Sequence, residues 1–353
     1  MPRLTVGLPV RNGGRYIREA IESVQCQSFT DWILLVFDDS SADDTRQIVR
    51  DLAARDDRIV LRASDGGPIP QAQNWSKVIE LPATEFVSMF AHDDVMMPAL
   101  LERQMRTMAD DPAMAMCFAQ GPFLDAAGNL VLNKDGKLIL HPPWPQDRVW
   151  SRHTFGPDVV VGLFVHPSSV MMRTAIARSI GPFSGDMPLY LDIEYWSRLG
   201  ECGTVGYVAG DLLRYRLNPQ GVYQRCVKTG INRGDADKLF RRTIAGRTWD
   251  KTQKQAFTER FYTAHALRAF RAAEEAREKG DMATASLQLA ICLAHGRAAG
   301  DMQGWIARWW NVRFLGKRFS SDRRRKVLSR IASAPIVRDY VARAYLAKLP
   351  TEA

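Results

Sequence analysis

The chain has 353 residues, 46% of them hydrophobic and 25% charged, with a net charge of +9. That size and composition fit a folded soluble protein with one large core and an appendage, or two domains. No apolar run approaches the roughly eighteen residues of a transmembrane helix, and five scattered cysteines without a C-x-x-C exclude a zinc site and a disulfide framework.

The opening residues enter a strand pattern directly and carry no signal-peptide apolar region, so a cytoplasmic protein is expected. Leu4, Val6 and Leu8 alternate with Thr5 and Gly7 in a short strand that ends at Pro9. A turn at residues 11–14 precedes Tyr16, Ile17, Ala20, Ile21 and Val24 at helical spacing. A second strand, 32–37, ends in the polar run 38–45, rich in helix-capping residues, and Ile48, Val49 and Leu52 mark the next helix. A third strand at 58–62 leads to a breaker-rich loop, 64–70, and a helix over 71–80.

The fourth strand, 86–90, ends at Asp93 and Asp94, and Pro98 suits the first turn of the helix carrying Leu100, Leu101, Met105 and Met108. Four strand–helix alternations predict a parallel sheet with crossover helices, and ligands of such sheets gather at the carboxyl ends of the strands. Adjacent carboxylates at that end repel and need a cation, donors or solvent. They read as a divalent-metal and nucleotide site or as an acidic turn capping the next helix.

Further on, 114–119 reads as a strand, 125–129 as a hairpin turn, 168–172 as a strand and 173–180 as a short helix. Residues 159–165 are apolar, 141–145 form a rigid irregular loop, and Asp192, Glu194, Trp196 and Arg198 lie on a helix followed by strands at 204–208 and 212–217. From about residue 234 the pattern is helical, with a helical hairpin over 261–295 turning at Gly280 and Asp281. Residues 231–353 hold 25 Lys+Arg against 12 Asp+Glu, +13, which leaves −4 on residues 1–230. Three parts are therefore expected: 1–112, 113–230 and a basic helical region, 231–353.

These residues resemble the inverting family 2 glycosyltransferases of the GT-A fold, an α/β class with a mostly parallel sheet. The resemblance covers roughly residues 3–218. Residues 4–12 look like that family's first strand and its Pro-x-x-Asn turn, 20–31 like its first helix, and 36–45 like its second-strand acidic motif. His92-Asp93-Asp94 falls where the family keeps its metal-binding carboxylates, and 192–199 matches the helix carrying its base.

The resemblance implies transfer of a sugar from a nucleotide diphosphate sugar, commonly uridine-linked, to a hydroxyl of a growing or lipid-linked glycan. It implies Asp94 as ligand of Mn²⁺ or Mg²⁺ and Asp93 as a contact to ribose or sugar, with those roles exchangeable. Asp39 would accept from the nucleotide base, Pro9 and Val10 would line its pocket, Asn12 would hold the turn, and Asp65 would be a further nucleoside contact. Asp192 is expected as the base; one displacement inverts configuration, so one carboxylate suffices. Glu194 would face elsewhere, and Arg198 would pair with a carboxylate of its own domain.

Several positions depart from the family pattern. Ala91 and Leu191 stand where many members carry acids, Gln73 replaces an arginine, and Leu217 and Asn218 replace residues that often contact diphosphate. Phosphate contact would then fall to Arg216, or to Arg225 and Lys228. His92 is a core or solvated histidine, or an extra ligand.

In the basic tail, Trp305, Trp309, Trp310 and Phe314 beside Arg308, Arg313, Lys317 and Arg318 suit an interfacial helix on an anionic membrane surface, or packing onto the protein. Nucleic acid is not an expected partner, because no recognised nucleic-acid fold accompanies the cations. Two competing functions stand beside the transferase. A sugar nucleotidyltransferase would need a Gly-rich phosphate loop, of which residues 9–14 are a poor version. A non-catalytic nucleotide-sugar-binding assembly protein is compatible with Ala91 and Leu217.

Overall fold

The structure, a computed structural model, describes residues 2–119, 121–132, 136, 138, 140–141, 144–163, 165–217 and 222–299. The aromatic and basic run at 305–326 lies outside the described residues. The chain divides into two compact units, Met1–Cys226 with Gly234–Thr243, and Val227–Arg233 with Ile244–Ala353.

The first unit opens with β1 (Leu4–Val10), α1 (Ile17–Gln25), β2 (Trp32–Asp39), α2 (Thr45–Ala53), β3 (Ile59–Ser64), α3 (Gln71–Glu80) and β4 (Phe86–Met89). A two-residue β5 (Val95–Met96), α4 (Leu100–Asp110), β6 (Met114–Ala119), β7 (Gly121–Leu124), β8 (Leu140–His141) and β9 (Arg148–Trp150) follow. Next come α5 (Phe155–Val161), a 3-10 turn (Pro167–Ser169), β10 (Met171–Arg173), α6 (Thr174–Ser179), α7 (Leu191–Leu199), β11 (Thr204–Val208) and β12 (Leu213–Arg216).

The main sheet runs β3-β2-β1-β4-β10-β6-β11-β9. β1, β2, β3 and β4 pair in parallel, as the four strand–helix alternations predict. β10 joins this part to β6 through antiparallel pairs, so the sheet is mixed beyond β4. β1 and β2 read as apolar runs because helices cover both faces: Leu4, Val6, Leu8, Leu34 and Val36 are all fully buried. Chain order reverses at β1, which sits between β2 and β4, and this is the switch point where an open sheet presents a crevice. A smaller sheet, β5-β12-β7-β8, stands beside it and carries β12 to the ends of the main strands.

One stretch differs from the sequence reading. Residues 168–172 are not one strand: Pro167, with its fixed φ, opens the 3-10 turn, and β10 starts only at Met171. The apolar run that starts at 159, to which the sequence assigned no element, begins inside a helix: Val159, Val160 and Val161 are the last residues of α5.

After β12 come α8 (Val222–Thr229) and α9 (Ile231–Ala245), then α10 (Lys251–Glu278) and α11 (Met282–Ala298) in the second unit. Asp250 caps α10 in a reciprocal capping box with Gln253. Ala266, Ala269 and Ala273 on α10 let α11 pack closely through Ile291 and Cys292. The turn between the two helices places Gly280 at φ 76°, and Asp281 accepts from the Thr284 N–H at 3.0 Å. No described helix is long and apolar enough to cross a membrane.

Candidate active site

The chain leaves β4 at the switch point. Phe90 donates its N–H to the Gly7 carbonyl at 2.9 Å, which keeps the residue in line with β1. The next N–H, of Ala91, goes to the Ser168 hydroxyl oxygen at 3.0 Å, and that hydroxyl donates in turn to Asp94 Oδ2. The Arg216 N–H holds Asp94 Oδ1 at 2.9 Å. Asp94 is thus buried at 1% exposure and gripped on both oxygens by neutral donors. Burial first, and the neighbouring Asp93 charge second, push its carboxyl well above the ordinary carboxylate range.

Arg216 is itself buried, and its guanidinium is spent inside the protein. It donates to the Asp93 carbonyl at 2.8 Å, the Asp125 carbonyl at 3.3 Å and the Glu19 carboxylate at 2.7 Å, and lies 4.5 Å from the Tyr16 ring centroid. Arg216, a candidate phosphate contact in the sequence, braces the Asp93–Asp94 turn through these partners. The hairpin it touches turns as the sequence predicts, with the Asp125 N–H on the Asn129 carbonyl.

Asp192 is the second residue of α7. Its Oδ1 accepts from the following Ile193 N–H at 2.8 Å, and no cation pairs with it among the described residues. It keeps a partly exposed surface yet is densely surrounded by protein, as a recessed carboxylate is. Burial pushes it up to about 6. Glu194 points elsewhere: buried, it pairs with Arg198 at 3.0 Å, and Arg198 also donates to the Pro182 carbonyl at 2.8 Å.

One ring marks where the carboxylates converge. The Tyr215 hydroxyl is raised by burial and then by Asp94, Asp93 and Asp192, in that order, so all three lie within electrostatic reach of it. Tyr215 is set by parallel pairing with Phe123, and its ring centroid is 3.7 Å from that of buried His166. Ser168 and His166 carried no motif in the sequence, and for Tyr215 the one signal was the family-like Tyr-Arg pair at 215–216.

On the other side of the switch point, Asp39 ends β2, is buried, and accepts from the Ile69 N–H at 3.1 and 3.2 Å. Its neighbour Asp38 is bound to Arg46, which also donates to the Ser64 carbonyl at 2.6 Å and to exposed Asp65 at 2.6 Å. Asp65 is therefore an outer partner of Arg46. Asn74 donates to the Phe37 carbonyl at 3.3 Å and ties α3 to the same strand end.

Pro9 and Val10 finish β1 beside Phe37 and Asp38. Asn12 adopts φ 54°, a left-handed conformation that asparagine tolerates, and its side chain accepts from the Ala42 N–H at 2.9 Å. At Gly13 a Cβ would lie 2.6 Å from Val10 Cγ2 and 2.7 Å from His92 Cδ2. The His92 ring is packed on this turn.

No group of three or more His, Cys, Asp or Glu placed to hold a metal occurs among the described residues. Asp93 and Asp94 nevertheless fit a hard cation of the kind that binds through one or two carboxylates and takes its remaining ligands from phosphates and water. The fit rests on Asp94, a buried carboxyl whose raised affinity for a proton a nearby cation would reverse.

Residues 5–177 match the family described as Glycosyl transferase family 2. Among curated proteins, the chain is 29% identical over 138 residues to a GalNAc(5)-diNAcBac-PP-undecaprenol beta-1,3-glucosyltransferase of Campylobacter jejuni, spanning 39% of this chain and 41% of that protein. It is 30% identical over 222 residues to an uncharacterized glycosyltransferase of Rickettsia typhi, spanning 62% of this chain and 64% of that protein. Among solved structures, S. aureus TarS 1-349 in complex with UDP-GlcNAc aligns over 90% of this chain and 93% of its own, with a TM-score of 0.59 at 13% identity. A mannosyltransferase of Pyrobaculum calidifontis in complex with GDP-Man and Mn²⁺ aligns over 90% of this chain and 88% of its own, with a TM-score of 0.54 at 16% identity. At these identities the two structures share the fold.

Proposed function

We propose that this chain, whose residues 5–177 match Glycosyl transferase family 2, moves a sugar from a uridine diphosphate sugar to a hydroxyl of a growing or lipid-linked glycan, with inversion. The observation that carries this reading is Asp192: a recessed carboxylate raised to about 6, with no cation paired to it among the described residues, sharing the surroundings of Tyr215 with Asp93 and Asp94. A base works best when its affinity for a proton lies near the working pH.

Asp192 takes the proton of the acceptor hydroxyl as that oxygen bonds to the anomeric carbon. The bond from that carbon to the diphosphate breaks, and its electron pair leaves with the nucleotide. A divalent cation, when bound, supplies Lewis-acid compensation for the departing diphosphate, and Asp94 with Asp93 would hold it. Asp39, Pro9 and Val10 form the nucleoside side, with Asn12 fixing the turn beside them. Asp65 joins that side only by leaving Arg46.

The uridine donor draws on the UDP-GlcNAc complex of TarS, and the lipid-linked acceptor on the undecaprenol-linked substrate in the Campylobacter relative's name. Such an acceptor would place the enzyme at the cytoplasmic face of a membrane, an anionic surface.

Nucleotide diphosphate release with UDP-, GDP- and dTDP-sugars, in Mn²⁺, Mg²⁺ and EDTA, tests the reading. Release from a UDP-sugar that needs the cation and a hydroxyl acceptor is expected. Release that persists in EDTA, or preference for another nucleotide, contradicts the corresponding part.

A further inference from the structure

The helix that carries Asp192 begins without a cap of its own. Tyr190 precedes α7 and makes no side-chain capping bond, so the first turn depends on the loop that delivers it. That loop, residues 184–190, is held from α9, well outside the family-matched residues 5–177.

Asp235, Lys238 and Arg242 recur at i, i+3 and i+7, which puts them along one face of α9. All three count with the first unit. Buried Asp235 accepts from the Leu189 N–H at 3.1 Å, one residue before Tyr190. Lys238 donates to the Asp186 carbonyl at 2.6 Å. Arg242 donates to both oxygens of Asp186 at 3.0 Å and to the Ser184 hydroxyl at 2.7 Å. The same guanidinium reaches Glu194, in the first turn of α7, at 3.6 Å. The loop is thus pinned at 184, 186 and 189, and the helix itself at 194.

From these contacts we infer that Asp235 and Arg242 are positioning residues, which fix the first turn of α7 and through it aim the Asp192 carboxylate at the acceptor hydroxyl. The inference rests on the reading of Asp192 as base. Neither residue touches the nucleotide side built from Asp39 and Val10, so their loss should spare donor binding. A displacement of about 1 Å at a reacting group costs as much as 10²-fold in rate. Arg242 is an exposed residue, so its replacement removes bonds without opening a core cavity.

The test uses the full chain with Arg242→Ala, Asp235→Ala and Arg242→Lys, following UDP release from a UDP-sugar with acceptor present. For the first two, kcat falls ten- to a hundredfold while the donor KM and the UDP affinity stay within twofold. Arg242→Lys, which keeps a cation for Asp186, recovers most of the kcat. Unchanged kcat in both variants, or equal losses in kcat and UDP affinity, overturns the inference. If the wild type releases no nucleotide from any donor, the proposed function fails instead. Backbone hydrogen exchange then decides the clamp alone: faster exchange at residues 187–193 in Arg242→Ala supports it, and unchanged exchange overturns it.

Discussion

Arg216 donates to Glu19 at 2.7 Å with its own side chain almost wholly buried and Glu19 half in solvent. The pair joins β12 to α1 across the turn that carries Asp93 and Asp94, and the two partners are unequal. Glu19→Gln keeps an acceptor and loses an exposed charge, so it should cost about 1 kcal/mol. Arg216→Met leaves the Asp93 and Asp125 carbonyls without their donor in a buried place and should cost at least about 3 kcal/mol. Urea unfolding of the two variants measures both, and equal losses would contradict the brace.

The pH dependence of turnover follows from Asp192. Its carboxyl, raised to about 6 by burial, must be ionised to take a proton. Activity should fall tenfold per pH unit below about 6 and level off above it. An acid limb centred near 4 in the pH profile of kcat/KM would mean that another carboxylate is the base.

The same burial destabilises the fold. A carboxyl moved from its ordinary 3.8 up to about 6 costs up to roughly 3 kcal/mol at pH 7. The sign follows from proton binding: between these values the folded state holds more protons than the unfolded one, so stability falls as pH rises. The penalty is absent below 3.8 and complete above about 6. Asp192→Asn should therefore be more stable than wild type at pH 7 and no different at pH 3.5, by thermal unfolding at both.

Ser168 supplies two bonds at once, accepting from the Ala91 N–H and donating to Asp94. Ser168→Ala should lose about 1–3 kcal/mol, the cost of an unmet buried group. Ser168→Thr keeps the hydroxyl and should lose less. Calorimetric titration of Mn²⁺ with UDP should show weaker binding in the alanine variant, because the Asp94 side chain is then free to turn.

The parallel half of the sheet was legible because buried strands spell out as apolar runs, and the acids at 38–39, 93–94 and 192 stand where such runs stop or a helix starts. Asp93 and Asp94 stood out for that reason, and Asp39 and Asp192 were added as candidates by the family resemblance. Their partners could not be named. Ser168 lies 74 residues from Asp94, and Arg216 lies 197 residues from Glu19. Nothing local marks either pair; only the crossing of β10 and β12 over the switch point brings them in. The same distance hid the partners of Arg216, whose sequence context offered a cation and no sign of the acceptors around it. The start of α10 was passed over: Asp250 and Gln253 form a capping box there, but the sequence reading ran as one helical stretch from about residue 234.

Asp192→Asn in the full chain tests the central claim most directly, with turnover and donor affinity measured on the same preparation. General-base loss should lower kcat by about 10²–10⁴-fold, while the Kd for the nucleotide sugar stays within twofold. A folded Asp192→Asn enzyme that binds donor and turns over at the wild-type rate would show that Asp192 is not the base.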